Sequence, residues 1–331
     1  MTRFRRMLTA NHPSPLNPLA PLLEAQGFVV LDGGLATELE RRGADLRDPL
    51  WSAKLLLDDP DRIRFVHEAY YTAGADVAVT ASYQASVQGF ARRGLDPVGA
   101  RRLIARSVEL AQEARHRFWQ LGGQSADRLW PLVAGSVGSF GAALADGSEY
   151  RGGYGVTRQA LADFHGPRLE ALVEARADLL AIETIPSPWE ASLVLELLAT
   201  WPAMPAWVSF SCRDGTRVSE GQPLAEAIAA VGGHPQVLAV GVNCVAPALA
   251  EPLLLTAARI TAKPLVAYPN SGERWDPERR SWVGGAATFD FGDAARRWHD
   301  AGARLIGGCC RTTPETIRII RAGLATTSIP S

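Results

Sequence analysis

The sequence predicts a single-domain α/β protein with the (β/α)8 barrel, or TIM barrel, fold. Eight short apolar runs rich in β-branched residues recur along the 331 residues. Runs that are apolar on both faces are typical of parallel strands covered by crossover helices, and such barrels occupy about 250 residues as one domain. A doubly wound open sheet is the alternative, but eight strand–helix alternations favour the closed barrel. The runs are residues 28–34, 75–83, 132–139, 178–186, 205–212, 237–244, 264–272 and 303–310.

Amphipathic segments between the runs predict helices, and the residues at their ends indicate where the helices begin and end. Asp59 precedes Pro60 at the start of the first segment and Gly74 follows its end. This is the usual order of an N-terminal cap, a first-turn proline and a C-terminal glycine. Thr157 predicts the start of another helix and Gly302 the end of the last one. The segments are residues 59–73, 99–120, 157–177, 188–199, 224–231 and 293–301.

The parts of the chain outside this alternation predict an arm and two functional loops. Residues 1–20 are basic and then rich in Pro and Asn, without the apolar stretch of a secretory signal, and predict a flexible arm. Residues 21–325 form the predicted barrel domain. The Gly- and Tyr-rich residues 139–156 follow a strand and predict an active-site loop, and residues 273–292 form a second long excursion.

Composition narrows the range of partners. The 34 Lys and Arg residues balance 35 Asp and Glu residues, so no long-range attraction to nucleic acid is expected. No run approaches the roughly 18 apolar residues of a membrane span. Four cysteines are too few for a disulfide scaffold in a chain of this length, which favours a cytoplasmic location. We therefore expect small-molecule partners and a monomer or small homo-oligomer.

Three of the four cysteines end predicted strands. Cys244 ends the sixth run, and Cys309 and Cys310 end the eighth. Because the carboxyl ends of barrel strands meet at one rim, these sulfurs form a candidate Zn²⁺ site with its fourth position open to water or substrate. Gly307 and Gly308 are expected to let the strand end bend, so that both adjacent cysteines turn to one metal. A pair of buried free thiols or a vicinal disulfide are the alternatives.

Two carboxylates, Asp32 and Glu183, also end apolar strands. Burying a charge there is costly unless a cation arrives, and the ammonium group of an amino-acid substrate would be such a cation. Hydrogen bonds from backbone N–H groups, or an ion pair with an arginine, are the alternatives. A thiol substrate would complete the chemistry, since a zinc site made of three thiolates accepts a further thiolate and removes its proton.

Five motifs together resemble the homocysteine S-methyltransferase family. They are LDGGLATELERRG at 31–43, VTASYQAS at 79–86, GVNC at 241–244, YPNSG at 268–272 and GGCCRTTP at 307–314. The resemblance extends over about residues 22–323, and residues 50–56 and 136–155 look most like the short S-methylmethionine-dependent branch. It implies a (β/α)8 barrel in which Cys244, Cys309 and Cys310 hold zinc.

The resemblance also implies a substrate site. Asp32, Gly33 and Glu183 are expected to help bind homocysteine, with Glu183 at the position of the family's ligand for the amino group. A tyrosine near the zinc of the betaine branch is matched by Tyr83, or by Gln84 in a shifted alignment. We also assign two residues at the ends of the sixth and seventh runs to substrate binding, Asn243 and Asn270.

The predicted reaction is in-line transfer of a methyl group from a sulfonium donor to the thiolate of homocysteine, giving methionine. The donor is S-methylmethionine or S-adenosylmethionine, held over aromatic rings. One alternative is betaine or another donor at the same site. Others are a redox or thiol sensor that uses Cys309 and Cys310, and a zinc-stabilised scaffold without catalysis. The aromatic candidates for donor binding are Trp51, Tyr83, Tyr150, Tyr154 and Trp275.

Overall fold

A computed structural model describes residues 17–46, 50–124, 128–276, 281–283 and 289–326, with the backbone alone for Trp51, 274–276 and 281–283. Eight parallel strands form one sheet, and each predicted run contains one of them. The first strand, β1 (Val29–Val30), pairs with the last, β10 (Ala303–Ile306). On its other side, a parallel bridge between Leu31 and Val77 joins it to β2 (Val77–Val79). The sheet is therefore a nearly closed barrel, as predicted. The barrel strands are β1 Val29–Val30, β2 Val77–Val79, β3 Leu132–Gly138, β4 Leu179–Ile185, β5 Ala206–Phe210, β6 Val237–Asn243, β7 Leu265–Tyr268 and β10 Ala303–Ile306.

Helices cover the barrel. Asp59 accepts a hydrogen bond from the backbone N–H of Arg62 and begins α4, and Gly74 ends that helix with a φ of +116°. Thr157 caps α8 in the same way. These ends agree with the predicted caps. The helices are α1 Ala20–Gln26, α2 Leu35–Arg41, α3 Leu55–Asp58, α4 Pro60–Ala73, α5 Val87–Ala91, α6 Pro97–Phe118, α7 Phe140–Leu144, α8 Arg158–Glu174, α9 Pro188–Leu198, α10 Leu224–Gly232, α11 Pro247–Ala258, α12 Phe291–Asp300 and α13 Pro314–Ala325.

The core has two layers. Side chains that point into the barrel, among them Leu31, Leu132, Trp207 and Leu305, form one cluster. A larger cluster fills the space between the strands and the outer helices. Leu19, next to α1, belongs to the inner cluster and is 1% exposed. The described end of the predicted arm, residues 17–20, therefore packs against the barrel, while residues 1–16 lie outside the described residues.

Some elements differ from the sequence prediction. Helices α11 and α13 were not among the predicted segments, although Thr313 and Thr316 form a capping box at the start of α13. The excursion at 273–292 contains an antiparallel hairpin, β8 Arg274–Asp276 and β9 Ser281–Val283. Among the described residues, no helix is both long and apolar enough to cross a membrane.

Candidate active site

The three predicted cysteines come together at the carboxyl ends of β6 and β10. The Cys244 and Cys310 sulfurs are 3.6 Å apart, and those of Cys309 and Cys310 are 4.0 Å apart. All three sulfurs lie within 4.8 Å of one another. Hydrogen bonds from Cys309 and Cys310 lower the pKa of the Cys244 thiol. We call these three residues the sulfur cluster.

Backbone contacts hold the sulfur cluster in place. Cys244 has a φ of +53°, and its N–H donates to the carbonyl of Tyr268 at 3.1 Å. The N–H of Cys309 donates to the carbonyl of Pro269 at 2.8 Å. The side-chain oxygen of Asn270 accepts from the N–H of Cys310 at 3.2 Å. The end of β7 thus holds Cys244, and the segment after β7 holds the two cysteines that follow β10.

Gly307 and Gly308 leave room for close packing and do not bend the backbone through a positive φ. Neither adopts a positive φ. A Cβ on Gly307 would lie 2.6 Å from Cβ of Leu31, and one on Gly308 would approach the Thr312 hydroxyl even more closely. The left-handed residue of this segment is Arg311, with a φ of +66°. The expected bend at the glycines is therefore replaced by close packing of glycine against β1 and Thr312.

Asp32 and Glu183 are buried with neutral partners only. An oxygen of Asp32 accepts from the N–H of Val79 at 2.9 Å, and Glu183 accepts from the hydroxyls of Ser136 and Tyr268. Burial raises the pKa of Asp32 well above its usual value, and the nearby charge of Glu183 raises it further. Burial also raises the pKa of Glu183 to about 7. Among the described residues, no Arg, Lys or His forms an ion pair with either carboxylate.

Asn243 and Gly33 pack beside the two carboxylates, Glu183 and Asp32. Asn243 is fully buried and its amide bonds the backbone N–H and hydroxyl of Thr184 and the hydroxyl of Ser209. Thr184 lies within β4, has a φ of +54°, and falls where the pairing with β5 shifts register, so Asn243 stabilises this irregular step of the strand beside Glu183. A Cβ on Gly33 would lie 2.9 Å from the Tyr70 ring. The structure therefore gives Asn243 protein partners, and its contact with substrate stays a prediction.

Two tyrosines approach the sulfur cluster, Tyr150 from the loop after β3 and Tyr83 from the segment after β2. The Tyr150 hydroxyl lies 3.0 Å from the Cys244 sulfur. Tyr83, which follows β2, lies within electrostatic reach of Cys244. Gln84 instead donates to the carbonyl of Ala142 at 3.0 Å. Of the two alternatives at the second strand end, Tyr83 is the one whose hydroxyl reaches the mouth of the barrel.

Other aromatic candidates lie elsewhere. The Tyr154 hydroxyl donates to Glu190 at 3.0 Å and its ring packs on Phe140, so it anchors the loop. The side chains of Trp51 and Trp275 lie outside the described residues.

Sequence reasoning missed a buried polar network that anchors this loop. Glu190, fully buried on α9, accepts from the N–H of Phe140 and pairs with His165 at 3.0 Å. Arg168, on α8, donates to the carbonyls of Gly138 and Tyr83. These residues lie inside apolar helical segments, and only their charged side chains at otherwise apolar positions could have indicated them.

Comparisons with known proteins agree with this geometry. The sequence model of the homocysteine S-methyltransferase family matches residues 29–324. The chain belongs to the homocysteine S-methyltransferase family. The family and the enzyme class predicted from the motifs, a methyltransferase, are thus confirmed.

Individual members of the family cover nearly the whole chain. Homocysteine S-methyltransferase YbgG of Bacillus subtilis (strain 168) is 49% identical over 307 residues, which are 93% of this chain and 98% of YbgG. The selenocysteine Se-methyltransferase of Brassica oleracea var. italica is 49% identical and covers 92% of this chain and 90% of its own. The metallated form of the homocysteine methyltransferase MmuM from Escherichia coli superposes with a TM-score of 0.83 at 47% identity, covering 92% of this chain and 99% of MmuM.

Proposed function

We propose that this chain transfers a methyl group from S-methylmethionine to the thiol of homocysteine, giving methionine, with zinc at the sulfur cluster. The observation that carries the proposal is the sulfur cluster, which shares the barrel mouth with two buried carboxylates, Asp32 and Glu183. An amino-acid thiol fits both features, because its sulfur can meet the cluster while its ammonium group meets the carboxylates.

The donor set fits zinc. Two thiolates that share a tetrahedral zinc, each at about 2.3 Å, are separated by about 3.8 Å, and two of the observed sulfur separations are 3.6 and 4.0 Å. Cys244, Cys309 and Cys310 would hold the ion and leave one position for the substrate. Zinc supplies one thing when bound: it favours the thiolate over the thiol of its substrate ligand.

The residues of the chain position the two substrates. Asp32 and Glu183 accept hydrogen bonds from the ammonium group of homocysteine, and this cation lowers the pKa that burial has raised. Tyr83 and Tyr150 offer ring faces to a cationic donor. The anchored loop that carries Tyr150 limits access of water to the sulfur cluster.

The transfer itself is a single displacement. The substrate sulfur forms a bond to the methyl carbon while the bond from that carbon to the donor sulfur breaks, and the electron pair stays on the donor sulfur. A sulfonium and a thiolate become two neutral thioethers. Because opposite charges are partly neutralised in the transition state, a dry and aligned site favours the reaction.

Donor assays test the proposal. We expect methionine formation from homocysteine to show the highest kcat/KM with S-methylmethionine, compared with S-adenosylmethionine and betaine. Absence of methionine with S-methylmethionine would contradict this donor, and methionine from betaine alone would replace it by the betaine alternative.

Metal analysis tests the cofactor. We expect one zinc per chain, lost in Cys244→Ser and kept in Cys212→Ser, because Cys212 is outside the sulfur cluster. A metal-free chain with an oxidised cysteine pair would support the thiol sensor instead. A cytoplasmic location, where thiols stay reduced, suits a site made of three cysteines.

A further inference from the structure

Glu149 lies in the loop after β3, next to Tyr150 in the 3-10 helix Ser148–Tyr150. The Ser211 hydroxyl donates to the carbonyl of Glu149 at 2.7 Å, which ties this backbone to the end of β5. Gly141 of α7 passes so close that a Cβ there would lie 2.5 Å from the amide nitrogen of Glu149. Backbone contacts therefore fix the position of Glu149.

One oxygen of the partly buried Glu149 carboxylate lacks a partner. Its Oε2 is shielded from solvent and accepts no hydrogen bond from any described residue. Burial raises the pKa of Glu149 to about 7, and the nearby charges of Cys244 and Asp146 add to this, while its own backbone N–H and the charge of Arg151 act in the opposite direction. Arg151 is close in sequence, but its guanidinium contacts Asp146 and Ser148. A carboxylate in such surroundings is stabilised by a cation.

The surroundings of Glu149 are those of a cation subsite. Tyr83, Tyr150 and Cys310 each lie within electrostatic reach of its charge. Aromatic rings and a carboxylate together attract alkylated cations, because ring faces carry negative potential. The homocysteine ammonium already has Asp32 and Glu183 as partners in the proposed function, which leaves the sulfonium charge of the donor without one.

We propose that Glu149 binds the sulfonium centre of the methyl donor, with the rings of Tyr83 and Tyr150 as neighbouring walls. The inference rests on the proposed function, since it assigns the donor side of the same site. It makes Glu149 a residue that selects cationic donors and disfavours the neutral thioether that remains after transfer.

The charge balance of the step predicts the kinetic signature. The donor sulfur loses its positive charge as the bond to the methyl carbon breaks and the electron pair returns to it. Glu149 therefore stabilises the bound donor more than the transition state. Its loss should raise the donor KM, leave the homocysteine KM unchanged, and not lower kcat.

The decisive test measures binding without turnover. The first probe is the dimethylamino analogue of S-methylmethionine, protonated at neutral pH. The second is the carbon analogue, with a CH group in place of the sulfonium sulfur. Both keep the α-ammonium and carboxylate groups, so only the side-chain charge differs. In calorimetric titrations with homocysteine present, we expect the wild-type protein to prefer the charged probe roughly tenfold, and Glu149→Gln to lose this preference.

The matched control is Glu174→Gln, which removes an exposed carboxylate at the end of α8 and should keep the wild-type preference. Glu149→Asp should retain part of it. Equal loss of both probes in Glu149→Gln would overturn the inference, because it would indicate a disturbed loop or a contact with the shared α-ammonium group. An unchanged preference would overturn it as well. Failure of the proposed function would be seen in a different measurement, as the absence of methionine in the donor assay.

Discussion

Among the described residues, the carboxylates directly beside the barrel strands have arginine partners at one end of the barrel and only neutral partners at the other. At the amino end, Asp76 precedes β2, pairs with Arg321 and Arg128, and accepts from the backbone N–H of Val30. Asp178, before β4, is likewise paired with Arg115 at 2.6 Å. At the carboxyl end, the described contacts of Asp32 and Glu183 are a backbone N–H and hydroxyl groups.

This difference separates the charged residues that stabilise the fold from those that we assign to function. At the base, the chain supplies its own cations, so the buried charges are compensated in the free protein. At the mouth, no described cation pairs with Asp32 or Glu183, and in the proposed function the substrate supplies one. Positive φ occurs there at Thr184, Cys244 and Arg311, and at the base at Arg176. Uncompensated buried charges lower the stability of the free protein and are retained where ligand binding needs them.

Removal of the proposed metal should have the largest effect on catalysis at the mouth of the barrel. Because the sulfur cluster would activate the substrate sulfur, chelation or Cys310→Ser should lower kcat/KM by roughly 10³-fold or more. The helical circular dichroism signal should fall only modestly, since the core clusters of the barrel do not depend on the cysteines. Unfolding on chelation would instead assign the metal to the scaffold and remove the contrast between the two ends.

Exchanging one carboxylate at each end tests the contrast directly. Asp76→Asn leaves Arg321 and Arg128 without their common anion and should lower the free energy of unfolding by about 4 kcal/mol, with kinetic constants unchanged. Asp32→Asn removes an uncompensated charge, so it should keep or raise stability while raising the homocysteine KM roughly tenfold. Urea unfolding and steady-state kinetics measure both.

The pattern of these two variants decides the result. Comparable loss of stability in Asp76→Asn and Asp32→Asn would show that both ends serve the fold. Loss of homocysteine binding in Asp76→Asn, in protein that remains folded, would contradict the assignment of the base to stability.

The pH dependence of stability is the smallest expected effect. The pKa of Glu183 rises from 4.5 to about 7 on folding, so the folded state binds the proton more tightly. Its stabilisation is complete below about pH 4.5 and is lost as the pH rises to about 7, up to roughly 3 kcal/mol. Glu183→Gln should flatten the unfolding free energy over this window, and an unchanged slope would place the charge of Glu183 in a compensated environment.

Local sequence was sufficient for the architecture. The eight apolar runs predict the strands because both faces of a parallel strand are buried, and Asp59, Gly74 and Thr157 predict helix ends through bonds to adjacent backbone. Helix α11 is harder to predict from the sequence, because Pro252 lies inside it and interrupts a helical pattern. Hairpin β8–β9 is short, so its residues carry little periodic signal.

The sequence by itself determined the barrel, the family and the residues of the sulfur cluster, because each depends on residue types at strand ends. Tertiary structure decided which charges are compensated. Asp76 and Asp32 are both aspartates beside short apolar strands, and only the fold brings Arg321 of α13 to the first and leaves the second with backbone partners. It also decided that the glycines before Cys309 serve packing and that one carboxylate oxygen of Glu149 is buried without a partner. Compensation of charge depends on groups distant in sequence, and local pattern carries no information about them.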